Sequence, residues 1–195
     1  VAAARRAEVD PFAPFSDRLR RGVPLAPLTT IRIGGPAERF FEPKDAADLA
    51  ALLRVARETA TPVRILGSGA NLLISDAGIK GIVARPSRLR GISIDGPRVR
   101  VGAGEPLPPL VKRTTDLGLS GLEGLGGIPA DVGGAIAMNA GGRYGWASHV
   151  LESAELALPD GRVVEVGAAE LGMSYRKARL PEGAAVTAAT FVLKP

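Results

Sequence analysis

Apolar positions recur along the chain at two different periods, and glycine and proline mark where one period gives way to the other. Leu49, Leu52, Leu53 and Ala56 fall on one face of a helix spanning residues 46 to about 60, with Asp45 placed to cap it and Thr61-Pro62 to stop it. Before it, residues 29–41 (TTIRIGGPAERFF) predict a short strand, a Gly34-Gly35-Pro36 turn and a second strand closed by Pro43. After it, PVRIL predicts a buried strand running into Gly67-Ser68-Gly69-Ala70-Asn71. Leu72-Leu73-Ile74 then resumes an apolar run, and a further strand begins at Gly81-Ile82-Val83. These pieces make a β-α-β-β unit of about sixty residues.

The second half changes character. Residues 92–103 alternate about an Asp95-Gly96-Pro97 turn and predict a hairpin. Residues 106–117 predict a helix that opens on prolines and ends at Gly118. Residues 118–145, GLSGLEGLGGIPADVGGAIAMNAGGRYG, hold the densest glycine cluster, and within them residues 131–138 predict a short helix with its amino end facing the loop. Strands at 154–158 and 162–166 flank a Pro159-Asp160-Gly161 turn, and a closing strand covers 186–193. Residues 1–26, punctuated by Pro and Arg with no sustained period, read as an N-terminal arm, with order starting near Leu28. The fold class is α+β in two subdomains, 27–86 and 87–195, each with a glycine-rich loop; the first is a small β-α-β-β unit and the second a larger antiparallel sheet with helices.

Composition narrows the chemistry. A chain of 195 residues that is 46% hydrophobic and 23% charged has enough apolar surface for a core. Without cysteine there are no disulfides, thiolate nucleophiles or Cys-ligated metals, and a lone His149 cannot build a multi-His site, so no metal is expected. No stretch is long and apolar enough to span a membrane and no signal-peptide block opens the sequence, so a soluble, cytoplasmic protein without membrane partners is expected. The formal charge of +5 is carried by arginines scattered singly or in pairs, and aromatics are only 4%. That pattern favours an anionic small molecule over nucleic acid.

A strand leading into GSGAN presents consecutive backbone N–H groups unobstructed by side chains, a way to wrap a pyrophosphate. Alone it reads first as a tight turn between strands, because it lacks the third glycine of the dinucleotide fingerprint and the Lys-Ser/Thr of a P-loop. A second small-residue stretch, Gly126-Gly127-Ile128-Pro129 followed by Gly133-Gly134-Ala135, stands before the short helix. Two such loops on two subdomains point to an extended diphosphate ligand in a cleft.

LTTIRIGGPAERF, ILGSGANLLI, GLEGLGGIPADVGGAIAMNAG and SYR at 174–176 occur in order and at the spacing of the UDP-N-acetylenolpyruvoylglucosamine reductase family, whose flavin-binding part the chain resembles over about residues 25–195. The resemblance implies the vanillyl-alcohol-oxidase-like (PCMH-type) fold, with FAD between two α+β subdomains. It implies pyrophosphate contacts from Gly67, Ser68, Gly69, Ala70, Asn71 and Leu72, with Ala70 replacing the usual Ser. It implies flavin and phosphate contacts from Gly127, Ile128, Pro129, Val132, Gly133, Gly134 and Ala135, with Ala130 where Gly is usual, continued by Asn139 and Gly141. Thr30, Arg32, Gly34 and Gly35 match the early TxRxGG segment that supports the flavin cleft; by itself Arg32 reads equally as a surface charge. No His or Cys stands near 67–71 to bond the flavin covalently, so non-covalent FAD is implied.

The resemblance further implies the reduction of a UDP-sugar enolpyruvyl ether to UDP-N-acetylmuramate in peptidoglycan synthesis, with NADPH as co-substrate. In that reading Tyr175-Arg176 is the catalytic pair, with the Arg176 guanidinium gripping the substrate carboxylate by two parallel bonds. Family members usually read YR-x-S; here Ala178 stands in place of the Ser, and NAGGRYG is one residue longer than the family's NAGAYG. The family's proton-donating Ser lies in a later substrate-binding domain, and no Ser follows Arg176 in this sequence. The expectation is therefore a flavin-binding half, with a separate substrate-domain chain as a conceivable partner. A shortened enzyme with a substitute acid and an FAD-binding module or redox partner are the alternatives.

Overall fold

Two sheets organise the structure, a computed structural model that describes residues 10–195. The first contains β1 (Leu19–Pro24), β2 (Pro36–Phe41), β3 (Val63–Ile65) and β4 (Ile79–Ala84), in the order β1-β2-β4-β3. β2, β4 and β3 run parallel, and β1 is antiparallel to β2. The crossover from β2 to β3 is α1 (Ala46–Glu58), where the Asp45 carboxylate accepts the Asp48 N–H at 2.7 Å, as the capping position predicts. α1 buries Leu49, Leu52, Leu53 and Ala56 beside Phe12, Phe15 and Phe41 on one face of the sheet; Leu25, Phe40, Leu66, Ile74 and Val83 fill the other.

The second sheet is antiparallel throughout, in the order β10-β9-β11-β6-β5. Its members are β5 (Ile92–Asp95), β6 (Arg98–Gly102), β9 (Leu151–Ala157), β10 (Val163–Gly167) and β11 (Ala185–Val192). The hairpin of β5 and β6 turns on Gly96-Pro97, with Gly96 at φ +54°. α2 (Leu107–Asp116) and α3 (Val132–Ala137) pack on this sheet through Leu107, Leu110, Val132 and Ile136, against Val99, Val101 and Phe191. A minimal ribbon, β7 (Gly141–Gly142) with β8 (Gly145–Trp146), follows α3. The α+β class, the single crossover helix and the antiparallel second sheet agree with the sequence reading.

Three local expectations are corrected. Residues 10–26 do not form an arm: Phe12 and Phe15 are buried, and β1 pairs along its length with β2. The strand LRRGVP hides its period because it lies at an edge, where charged residues and proline are tolerated. Residues 31–33 are not a strand; the Thr29 hydroxyl donates to the Ile33 carbonyl at 2.9 Å and closes a turn that overrides their β-propensity. β3 is not buried, because β4 takes the interior place and leaves Arg64 and Ile65 exposed at the edge.

Candidate functional site

Residues that follow parallel strands gather at the strands' carboxyl ends, where open α/β sheets place ligands. There the segment after β3 makes the first glycine loop. Among the described residues, none of the six consecutive N–H groups from Gly67 to Leu72 has a protein acceptor. Gly69 has φ +69°, and a Cβ on it would lie 2.4 Å from the Leu28 carbonyl oxygen; its own carbonyl accepts the Thr30 N–H at 3.3 Å. Only glycine lets the loop turn its amides outward while its back rests on residues 28–30. Gly35 is equally confined, since a Cβ there would come within 2.0 Å of the Asp76 carbonyl oxygen, which packs the TxRxGG segment against the turn before β4.

The second stretch faces the first. The Ser68 hydroxyl donates to the Pro129 carbonyl at 2.9 Å, and a Cβ on Gly67 would lie 3.6 Å from Asp131 Oδ2. The amides of Gly127, Asp131 and Gly134 have no protein acceptor among the described residues. Those of Val132 and Gly133 are already used, donating to the carbonyls of Glu105 and Ala103 at 2.9 Å each. This corrects the picture of α3 offering its whole amino end. Val132 is wholly buried, and a Cβ on Gly133 would press to 2.9 Å from that of Ala103, so both belong to the packing of α3 against β6. Ile128 and Ala135 also face the core and Pro129 is exposed.

Six residues of α3, about 9 Å at 1.5 Å per residue, separate Asp131 from the far end of the helix. There Asn139, buried and at φ +39°, donates from Nδ2 to the Ser174 carbonyl and accepts the Ser148 N–H at Oδ1, both at 3.0 Å. This pins a tight turn in which Ser174 and Lys177 exchange both backbone hydrogen bonds and Tyr175 and Arg176 form the tip. Arg176 is exposed at φ +56°, its guanidinium 5.8 Å from the Trp146 ring centre; Tyr175 meets the same ring edge-on at 5.4 Å. Among the described residues Arg176 has no carboxylate partner, so its charge faces open space. Arg32, exposed at φ +57°, is a third non-glycine residue in the left-handed region within the matched segments. Strained backbone of this kind gathers where geometry serves a ligand.

The structure joins Ser68 to Pro129, brings Gly67 close to Asp131, and ties Asn139 to the turn of Tyr175 and Arg176; Gly141 lies in the ribbon behind Trp146, with no space for a side chain. Three residues escaped the sequence reading. Trp146, the only tryptophan, supports the Tyr175-Arg176 turn. Arg85, after β4, has a buried Nε with no acceptor. Asp131 appeared only as a helix start, yet its carboxylate caps nothing and projects between the loops. An acid inside a run of small residues was the available signal. A separate cleft of about 490 Å³ is lined by Lys44, Arg88, Arg90 and Arg100 together with Asp45 and Glu155, and Arg100 is already paired with Glu155 at 2.7 Å. Six free amides, close backbone approach and the charges of Arg85 and Arg90 acting on Asp131 fit a diphosphate.

Two loops with unpartnered backbone amides, one on each sheet, face each other. The profile of the FAD-binding domain family matches residues 37–167, about two thirds of the chain, and the chain belongs to that family. Over 176 residues it is 47% identical to the UDP-N-acetylenolpyruvoylglucosamine reductase of Anaeromyxobacter sp. (strain Fw109-5), covering 90% of this chain and 55% of that protein. To the reductase of the same name from Synechococcus sp. (strain JA-3-3Ab) it is 42% identical over 185 residues, covering 94% of this chain and 59% of that protein. The crystal structure of UDP-N-acetylenolpyruvylglucosamine reductase from Thermus caldophilus superposes with a TM-score of 0.79 at 40% identity, covering 91% of this chain and 62% of that one. The fold is also that of 6-hydroxy-D-nicotine oxidase from Arthrobacter nicotinovorans, with a TM-score of 0.64 at 23% identity over 93% of this chain and 40% of that one. The chain spans between half and two thirds of the length of these reductases. Among the described residues no helix is long and apolar enough to cross a membrane, and no His, Asp and Glu cluster suits a metal.

Proposed function

We propose that this chain is the flavin-binding part of an NADPH-dependent UDP-N-acetylenolpyruvoylglucosamine reductase, holding FAD non-covalently across two subdomains that divide near residue 86. The observation that carries the proposal is the row of six unpartnered amides at 67–72, joined to the facing stretch through Ser68 and Pro129. The diphosphate is held by Gly67, Ser68, Gly69, Ala70, Asn71 and Leu72, with Gly127 and Gly134 donating from the other side. FAD, when bound, supplies two-electron hydride chemistry.

The chain's own residues bind and orient. Arg176 receives the carboxylate of an enolpyruvyl UDP-sugar, since a guanidinium stays charged and matches a carboxylate with two parallel bonds. Asn139 and Trp146 hold that guanidinium in place, and Tyr175 borders the same surface. The protein belongs, on this reading, to the cytoplasmic steps of cell-wall synthesis.

Titration of the purified chain with FAD, followed by addition of NADPH, tests the reading. A yellow complex whose flavin absorbance is bleached by NADPH is expected. Gly69→Val, which forces side-chain atoms toward the Leu28 carbonyl, should abolish FAD uptake while circular dichroism shows the fold retained. A colourless wild-type protein, or full FAD occupancy in the folded variant, overturns the assignment of the loop.

A further inference from the structure

A loop that binds a diphosphate through amides gains from positive surroundings and loses from negative ones. One carboxylate breaks that pattern. Asp131 precedes α3 in the N-cap position, where a side chain ordinarily accepts the N–H two or three residues on, yet it makes no capping bond and the Gly134 amide stays without an acceptor. Its Oδ2 points instead across the gap, 3.6 Å from where a Cβ on Gly67 would stand. Among the described residues it accepts no hydrogen bond and forms no ion pair within 4.0 Å, although it is half-buried.

The charged groups facing it come from two segments. Arg85 and Arg90, in the segment after β4, favour its ionised form; Glu105, between β6 and α2, opposes it. Arg85 carries a buried Nε without an acceptor, so the guanidinium beside Asp131 is itself short of partners. Burial outweighs the arginines and holds the Asp131 carboxyl above the usual aspartate range. An aspartate poised in this way protonates more readily than an ordinary one, and a doubly negative ligand beside it raises that tendency further.

We infer that Asp131 takes up a proton when a diphosphate settles between the two loops, so that this residue makes retention of the flavin nucleotide pH-dependent. The proton comes from solvent, adds to a carboxylate oxygen, and converts a repelling anion into a hydrogen-bond donor toward a phosphate oxygen. By linkage, a ligand that promotes protonation is itself bound more tightly when the proton is present. Affinity is therefore greatest at low pH. It falls, by at most about tenfold per pH unit, between the titration of the free carboxyl and that of the carboxyl in the complex.

The inference rests on the flavin reading, and calorimetry separates the two. The full chain is titrated with FAD at several pH values in paired buffers of different ionisation enthalpy, with and without Mg²⁺, beside Asp131→Asn and Asp131→Ser. Both replacements remain good N-cap residues, so the fold is preserved. Wild type should bind with proton uptake approaching one per FAD and with affinity falling as pH rises; both variants should bind more tightly at neutral pH, without uptake and with a flat profile.

Binding by wild type with a flat profile, or an identical pH dependence in the Asn variant, overturns the role of Asp131 while leaving the flavin reading intact. A requirement for Mg²⁺ that disappears with Asp131 overturns it too, since the carboxylate would then be holding a cation. No binding by any of the three proteins overturns the flavin reading and this inference with it.

Discussion

Asn139 and Arg176 show how one side chain prepares another. The amide of Asn139 spends both its ends on backbone groups from different segments, Ser174 and Ser148, and the turn carrying Arg176 is fixed as a result. Replacing Asn139 by Ala deletes both of these hydrogen bonds and leaves the Ser148 N–H without its acceptor, which should cost about 1–3 kcal/mol in urea unfolding. Arg176→Ala removes only an exposed charge, so its stability should change little. On the proposed reading, stopped-flow measurements on a full-length reductase carrying Arg176→Ala should show flavin reduction by NADPH intact and transfer to the enolpyruvyl substrate reduced. Equal loss of both steps would remove Arg176 from its proposed place.

At the level of elements, periodicity foretold what repeats and failed where a side chain or a neighbour intervened. α1 was legible because Asp45, four apolar positions and Pro62 agree, and the hairpin of β5 and β6 because Asp95-Gly96-Pro97 separates two alternating runs. β1 was illegible because an edge strand need satisfy only one side, so Arg20, Arg21 and Pro24 dilute its pattern. Of the candidate site, glycine marked the first loop well, since Gly69 and Gly35 are required by close backbone approach. It misled at α3, where Gly133 serves packing against Ala103 instead of exposing an amide. Which amides stay free depends on hydrogen bonds between residues 130–133 and residues 103–107, and such pairings leave no trace in local sequence. The lead-in gives a direct test of its packing: Phe15 is buried and meets Phe41 edge-on with ring centres 5.6 Å apart. Phe15→Ala should lower unfolding stability by about 3–5 kcal/mol, a loss that an arm free of the core could not produce.

Across the whole molecule, the two sheets share a border at which Ala157 and Ala185 of the second enter the core beneath α1, while the loops meet only at their tips. A single neutral hydrogen bond from Ser68 to Pro129 spans that meeting, worth about 1 kcal/mol. On the proposed reading a dianion seated there would touch amides from both sides and act as a clasp. The melting temperature of the chain should then climb with added FAD, the gain reaching about 2.7 kcal/mol when the nucleotide exceeds its dissociation constant a hundredfold. Differential scanning fluorimetry across a nucleotide series measures it, and an unmoved transition would mean that the folded chain does not bind the nucleotide. In a cell the same dependence makes cofactor supply a determinant of how much of this protein survives proteolysis.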